Sequence, residues 1–185
     1  MLEELIAFAK KPIYEQDVNS QTSEKLRLSA KLLVLALCSS ILLLIIASLI
    51  QHIFNIEVGE HAIDDLFNNN SEIKIFFLAV IVAPFFEELI FRGPLIFFKN
   101  SKYFPTVLYI STIAFGLVHI SNFEMTTQVL LLSPLLVAPQ LSIGFLLGYI
   151  RVKFGLYWSI ALHACYNMVL TIPLLLVKLL DIPLE

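Results

Sequence analysis

Charge is scarce in this chain. Only 15% of its 185 residues are Asp, Glu, Lys or Arg, against about 25% in ordinary soluble domains, which excludes a soluble surface of the usual kind. Basic residues do not exceed acidic ones, 12 against 15, and the formal net charge is −3. No cationic surplus is left to neutralise phosphates, which argues against nucleic acid as a partner. There are two cysteines, Cys38 and Cys165, each inside a long apolar run, so a disulfide framework is excluded and the redox compartment stays open. Six glycines and eight prolines are too few for a low-complexity chain, and no period of the kind that marks solenoids is present. What is abundant is hydrocarbon: 58% of the residues are hydrophobic and the mean hydropathy is +0.86. These values describe a multi-spanning membrane protein.

A spanning helix needs ~20 mostly apolar residues, because each residue rises ~1.5 Å and the hydrocarbon core is ~30 Å thick. Five windows qualify, at about 28–50, 73–98, 104–120, 126–150 and 155–179. The predicted fold is therefore an all-α polytopic bundle of about five spans. Residues 1–27 form a polar cytoplasmic N-terminal segment, 28–51 the first transmembrane helix and 73–180 the core. A cleaved signal peptide would carry its apolar stretch nearer Met1, so the first span is expected to be retained. The short amphipathic stretch Leu2 to Phe8 either rests on the membrane surface or frays.

Lys and Arg mark the inner side of a membrane. Lys10, Lys11, Lys25, Arg27 and Lys31 precede or open the first span, whereas the next loop offers Glu57, Glu60, Asp64, Asp65 and Glu72 with only Lys74. Lys99 and Lys102 mark an inner turn, Asn122 and Glu124 an outer one, and Arg151 and Lys153 an inner one again. The expectation is N-terminus inside and C-terminus outside, a topology that fits a bacterial cell membrane, with the endoplasmic reticulum as the alternative. Pro84, Pro94, Pro134, Pro139 and Pro173 fall within apolar windows, and each removes a backbone donor. Spans two, four and five are expected to be broken by them, with 128–140 a re-entrant or tilted piece leading into a helix from Ser142.

Ionisable residues inside lipid cost at least ~2.5–3.5 kcal/mol each on insertion scales, so they normally face the protein interior or a water cavity. Here they cluster: Glu87, Glu88 and Arg92 in PFFEELIFRGP, His119 in FGLVHI, and His163 and Asn167 in HACYN. Glu88 and Arg92 are spaced i,i+4 and can pair. Glu87 points ~100° away from that face and has no obvious local partner. His163 with Asn167, and Phe115 with His119, repeat the i,i+4 spacing. Counted from the inner ends of their spans at ~1.5 Å per residue, Glu87, His119 and His163 lie at roughly 18, 21 and 15 Å. Three helices can thus bring a carboxylate, two imidazoles and an amide together near the midplane. Such a group can activate water as a general base, or bind a metal that does so.

These residues resemble a family, the CPBP intramembrane proteases, also called the Abi family, which includes the type II CAAX prenyl endopeptidases and bacteriocin-processing or immunity proteins. The family pattern is Glu-Glu-x-x-x-Arg, Phe-x-x-x-His and His-x-x-x-Asn/Asp. All three occur here in order, as Glu87-Glu88-x-x-x-Arg92, Phe115-x-x-x-His119 and His163-x-x-x-Asn167. The resemblance covers about 75–169. Many relatives have more spans, whereas this chain has one clear helix before the motifs.

The resemblance implies an intramembrane endopeptidase acting on a peptide or a prenylated, membrane-associated protein substrate within the lipid bilayer. Glu87 is then the general base toward the attacking water, assisted by His119. His163 and Asn167 stabilise the oxyanion, and Glu88 and Arg92 hold the helix and the first glutamate in place. Another reading of the family places zinc on Glu87, His119 and His163. Asn is an uncommon zinc ligand and no His-Glu-x-x-His helix is present, so no cofactor is favoured.

Other readings compete. Glu88 with Arg92 is equally a buried structural ion pair, and His163 with Asn167 equally interhelical hydrogen-bonding glue. A non-catalytic bacteriocin immunity or scaffold protein would carry the same cluster. A transporter or proton relay would too, but no inverted repeat is present, and no Gly-x-Ser-x-Gly turn supports a serine protease. The aromatics Phe85, Phe86, Phe91, Phe97 and Phe98 read as lipid-facing or packing surface, and His52 and His61 receive no role. Asn69-Asn70-Ser71 matches a glycosylation acceptor, a pattern with many chance occurrences. Oligomeric state is left open.

Overall fold

A computed structural model of the chain describes residues 1–56 and 70–180. Glu57, Glu60, Asp64, Asp65, His61 and Asn69, invoked above for the acidic loop and the glycosylation pattern, lie outside the described residues. The described chain is helical throughout, with no β-strand, so the all-α expectation holds.

Helix α1 (Leu2–Lys10) carries acidic residues in its first turn and Lys10 in its last, each sign placed where the helix dipole favours it. A stretch without regular structure leads to α2 (Thr22–Phe54), a 33-residue helix. Glu24 accepts a hydrogen bond from the Gln21 backbone N–H at 2.9 Å, satisfying one of the amides that a helix start leaves without a partner. Asn55 ends α2 in the left-handed conformation, φ 50°, which asparagine tolerates better than most residues.

The motif-bearing stretch is the irregular one. It runs from α3 (Glu72–Phe76) through a π-helical segment (Phe77–Val82) into α4 (Ala83–Phe91), then a 3₁₀ segment (Gly93–Phe98). Pro84 lies in the first turn of α4 and Pro94 in the first turn of the 3₁₀ segment, so both breaks sit where a proline withholds its backbone donor. Next come α5 (Phe104–Val118), a 3₁₀ turn (His119–Asn122), α6 (Thr127–Leu136), α7 (Ala138–Phe154) and α8 (Leu156–Leu179).

Four helical stretches among the described residues are long and apolar enough to cross a membrane: Thr22–Phe54, Phe104–Asn122, Thr127–Phe154 and Leu156–Leu179. The expected span at 73–98 is not among them, because it is interrupted and carries Lys74, Glu87, Glu88 and Arg92. The expected break in the fourth window lies at Val137, between Pro134 and Pro139, and the following helix starts at Ala138 rather than Ser142. The fifth window is not broken. Pro173 sits inside a continuous α8, since a proline removes one hydrogen bond and the turns on either side can hold the helix together.

Helix α7 is the hub, packing against α2, α5 and α8. Its Gly144-x-x-x-Gly148 pair makes this possible by letting neighbours approach its backbone. A Cβ on Gly148 would stand 2.8 Å from Leu108 of α5, and one on Gly144 would stand 3.0 Å from Phe115 and 3.2 Å from Arg92. Small residues at this seam set how near the motif helices come to one another.

The N-terminal segment neither frays nor stands free. Leu5 is buried, and Phe8 packs on Phe145 and Tyr149 of α7, with ring centroids 5.8 and 5.2 Å away. Tyr109 donates to the Ala9 carbonyl, and the Asp17 backbone N–H donates to the Lys153 carbonyl at 2.9 Å. Arg151, read above as an inner-loop charge, is buried at 6% exposure. It donates from Nε to the Arg92 carbonyl at 3.1 Å and from Nη1 to the Tyr14 hydroxyl at 2.9 Å. Cys38 and Cys165 are free and exposed.

Candidate active site

Glu87 and Glu88 sit in the middle of α4, and their adjacency sends them to different environments. Glu88 faces the packed interior at 0% exposure, whereas the Glu87 side chain is 27% exposed. Arg92, four residues on, closes α4 and sets Nη1 3.2 Å from Glu88 Oε1. Its Nη2 donates to the Gly144 carbonyl at 3.0 Å, and its guanidinium lies over the Phe115 ring at 4.0 Å. A buried charge is tolerable only when paired and hydrogen-bonded in this way. The i,i+4 pair expected from the sequence is therefore present.

Helix α8 presents Ser159, His163 and Asn167 at successive i,i+4 positions. His163 lies between the two glutamates, with Nδ1 3.1 Å from Glu88 Oε1 and Nε2 3.7 Å from Glu87 Oε2. Since a carboxylate only accepts, Nδ1 carries the proton of the shorter contact. Ser159, fully buried, reaches the other Glu88 oxygen with its hydroxyl and also lies 3.1 Å from the Leu147 carbonyl. Glu88 is thus held by Arg92, His163 and Ser159 at once. Of the pair expected to steady Glu87, Glu88 contacts His163 directly.

Asn167 donates from Nδ2 to the carbonyl of Ala79 at 2.8 Å. Ala79 lies in the π-helical segment, where Ala83 donates to Leu78, and the next donor in that register would be Pro84, which has no N–H, so the Ala79 carbonyl is available to an outside donor. His119, at the C-terminal cap of α5, contacts the Phe115 carbonyl through Nδ1 at 2.7 Å. A carbonyl can only accept, so Nδ1 is protonated and Nε2 is the free nitrogen of the ring. Phe115 packs edge-on to both imidazoles, with centroids 4.9 Å from His119 and 5.6 Å from His163.

Glu87, His119, His163 and Asn167 all line one cavity of about 530 Å³. The four residues singled out for chemistry are therefore brought together, and Glu88 and Arg92 lie beside them in the packed interior. Its remaining wall is largely apolar, including Leu78, Ile143 and Leu174. The Oε2 atom of Glu87 is buried and takes no hydrogen bond from any described residue. Among the described residues no three His, Cys, Asp or Glu side chains converge as metal ligands; of the set Glu87, His119 and His163, Glu87 Oε2 and His163 Nε2 lie 3.7 Å apart.

Three contributors escaped the sequence reading. Ser159 is the first member of the stripe that continues through His163 and Asn167, and extending the i,i+4 series back one turn finds it. Gln140, a polar residue within the fourth apolar window, lines the same cavity. Arg151 gave no signal, because a basic residue at a span end ordinarily marks topology.

Comparison with known proteins adds one match. A family model described as type II CAAX prenyl endopeptidase Rce1-like matches residues 69–169, a stretch that contains every residue of the cavity's polar cluster. No curated protein and no solved structure matches the chain.

Proposed function

The chain belongs to the Rce1-like type II CAAX prenyl endopeptidase family, and on that premise we propose that it is an intramembrane endopeptidase whose hydrolytic water is activated by Glu87. The observation that carries this reading is the contrast between neighbouring carboxylates. Glu88 is fully engaged, whereas Glu87 keeps one oxygen without a hydrogen-bond donor and lines a cavity shared with two imidazoles and an amide.

In the proposed reaction Glu87 takes a proton from water as the water oxygen bonds to the scissile carbonyl carbon. Negative charge then develops on the former carbonyl oxygen. Asn167 keeps one amide N–H beyond the one given to Ala79, and with His163 it supplies donors to that oxyanion in an environment poor in water. Donation from Nε2 in this scheme requires both ring nitrogens of His163 to carry protons, and Glu88 Oε1 lies 3.1 Å from Nδ1. Collapse breaks the C–N bond, and the proton held by Glu87 passes to the departing amine with His119 as relay. The products are a carboxylate and an amine. No bound metal enters the proposed scheme.

The substrates are membrane-associated peptides or prenylated protein tails, and the chain stands with its N-terminus inside. Lys10, Lys11, Lys25, Arg27 and Lys153 support that orientation without Arg151. The purified protein in detergent, given a panel of prenylated and unprenylated peptides, is expected to cleave at least one of them and to do so with a chelator present. Cleavage abolished by the chelator contradicts the metal-free scheme. Failure on the whole panel contradicts the protease reading and favours an immunity or scaffold role.

A further inference from the structure

Gln140 opens α7 in its first turn, after Ala138 and Pro139. A glutamine at this position commonly reaches back to the backbone N–H of the residue that caps the helix. Here that amide, on Val137, already donates to the Ser133 carbonyl at 3.0 Å, because α6 runs almost directly into α7. The local role is taken, and the Gln140 side chain lines the cavity beside Glu87 and His119 instead. Its Oε1 is buried and receives no hydrogen bond from any described residue. Leaving a buried amide oxygen unpaired is costly, and an apolar side chain would meet a purely structural need at this position without that cost. Among the described residues, the buried side-chain oxygens without a donor are Glu87 Oε2 and this one.

A peptide brought into a membrane-embedded site has the complementary problem. It must be extended for its scissile carbonyl to be attacked, which strips its amides of helical partners, and within hydrocarbon no water replaces them. Proteins commonly solve this with an open sheet edge that pairs with an extended peptide. No strand is present among the described residues, so no sheet edge is offered, and an acceptor for a substrate N–H can come from a side-chain oxygen that has no donor of its own. We propose that Gln140 is a substrate-binding residue, whose carboxamide oxygen accepts a backbone N–H of the peptide near the scissile bond. This inference rests on the endopeptidase reading and names a contact that selects amide-backbone substrates.

The test scans a cleavable peptide with single backbone esters, replacing each N–H next to, but not at, the scissile bond by oxygen. Wild-type protein is expected to lose about tenfold in kcat/KM at one position, the size of one buried hydrogen bond. Gln140→Met is expected to cleave the all-amide peptide about tenfold less well, chiefly through KM, and to show no further loss at that ester. Gln140→Glu, which keeps an acceptor there, is expected to restore sensitivity to the ester. Wild type indifferent to every ester overturns the proposal while leaving the protease reading standing, and this arm needs no variant to fold. Additive losses from Gln140→Met and the ester overturn it equally. Absence of any turnover by wild type overturns both.

Discussion

His163 lies within hydrogen-bonding distance of Glu88, 3.1 Å from Nδ1, and only 3.7 Å from Glu87 through its other nitrogen. The two glutamates, adjacent in sequence, thereby divide the labour of the site. Glu88 belongs to a closed network with Arg92, His163 and Ser159, and Glu87 belongs to the cavity.

Glu88→Gln is accordingly a stability variant as much as an activity variant. It removes the counter-charge of Arg92, which is 1% exposed, and an uncompensated buried charge costs about 3–5 kcal/mol. Thermal unfolding in detergent should fall sharply, and cleavage should fall with it because His163 loses its anchor. An unchanged melting temperature would show that Arg92 does not depend on this pair.

Arg151 ties the N-terminal segment to the end of the motif helix. It bridges the Tyr14 hydroxyl and the Arg92 carbonyl from a buried position at the C-terminal end of α4, where a cation also meets the helix dipole. Arg151→Met should cost about 2–3 kcal/mol and Tyr14→Phe about 1 kcal/mol. The double variant should be little worse than Arg151→Met alone, since the two losses share one contact. Full additivity in detergent unfolding would argue against the bridge.

Docking of α1 should weaken in acid. Lys153, 3.4 Å away, holds the Glu4 carboxyl below its ordinary carboxylate range, with hydrogen bonds from Lys153 and Tyr149 adding to the effect against a smaller opposing effect of burial. A depressed carboxyl contributes stability that is full above its unfolded value and is lost as pH falls through the folded one. The Glu4 side chain is 59% exposed, so the contribution is below about 1 kcal/mol. Amide exchange in α1, corrected for the intrinsic pH dependence, should speed up relative to α8 below that range, and Glu4→Gln should remove the difference. An α1 whose relative protection ignores pH in the wild type would contradict the contact.

Much of this arrangement is legible in the sequence. Periodicity puts Glu88 with Arg92 and His163 with Asn167, because i,i+4 neighbours share a helix face whatever surrounds them, and four charged or polar groups in lipid must face inward. Which glutamate His163 contacts depends on the rotation of α4 against α8, a tertiary quantity that spacing within one helix does not encode. The N-terminal segment reads as polar because its composition is polar, yet Leu5 and Phe8 pack into the core that includes α7. The burial of Arg151 is hidden for a related reason: a buried arginine and a loop arginine look identical in sequence, and only the carbonyl of Arg92 and the hydroxyl of Tyr14 distinguish them.

The central claim is that Glu87, not Glu88, activates the water, and a purified Glu87→Gln variant tests it against wild type on one cleaved peptide. Because Glu87 Oε2 has no hydrogen-bond donor to lose, the variant should unfold within about 1 kcal/mol of wild type. Its kcat should nevertheless drop by about 10²–10⁴, the range of general-base catalysis. A Glu87→Gln protein that is folded and cleaves at the wild-type rate would contradict the account.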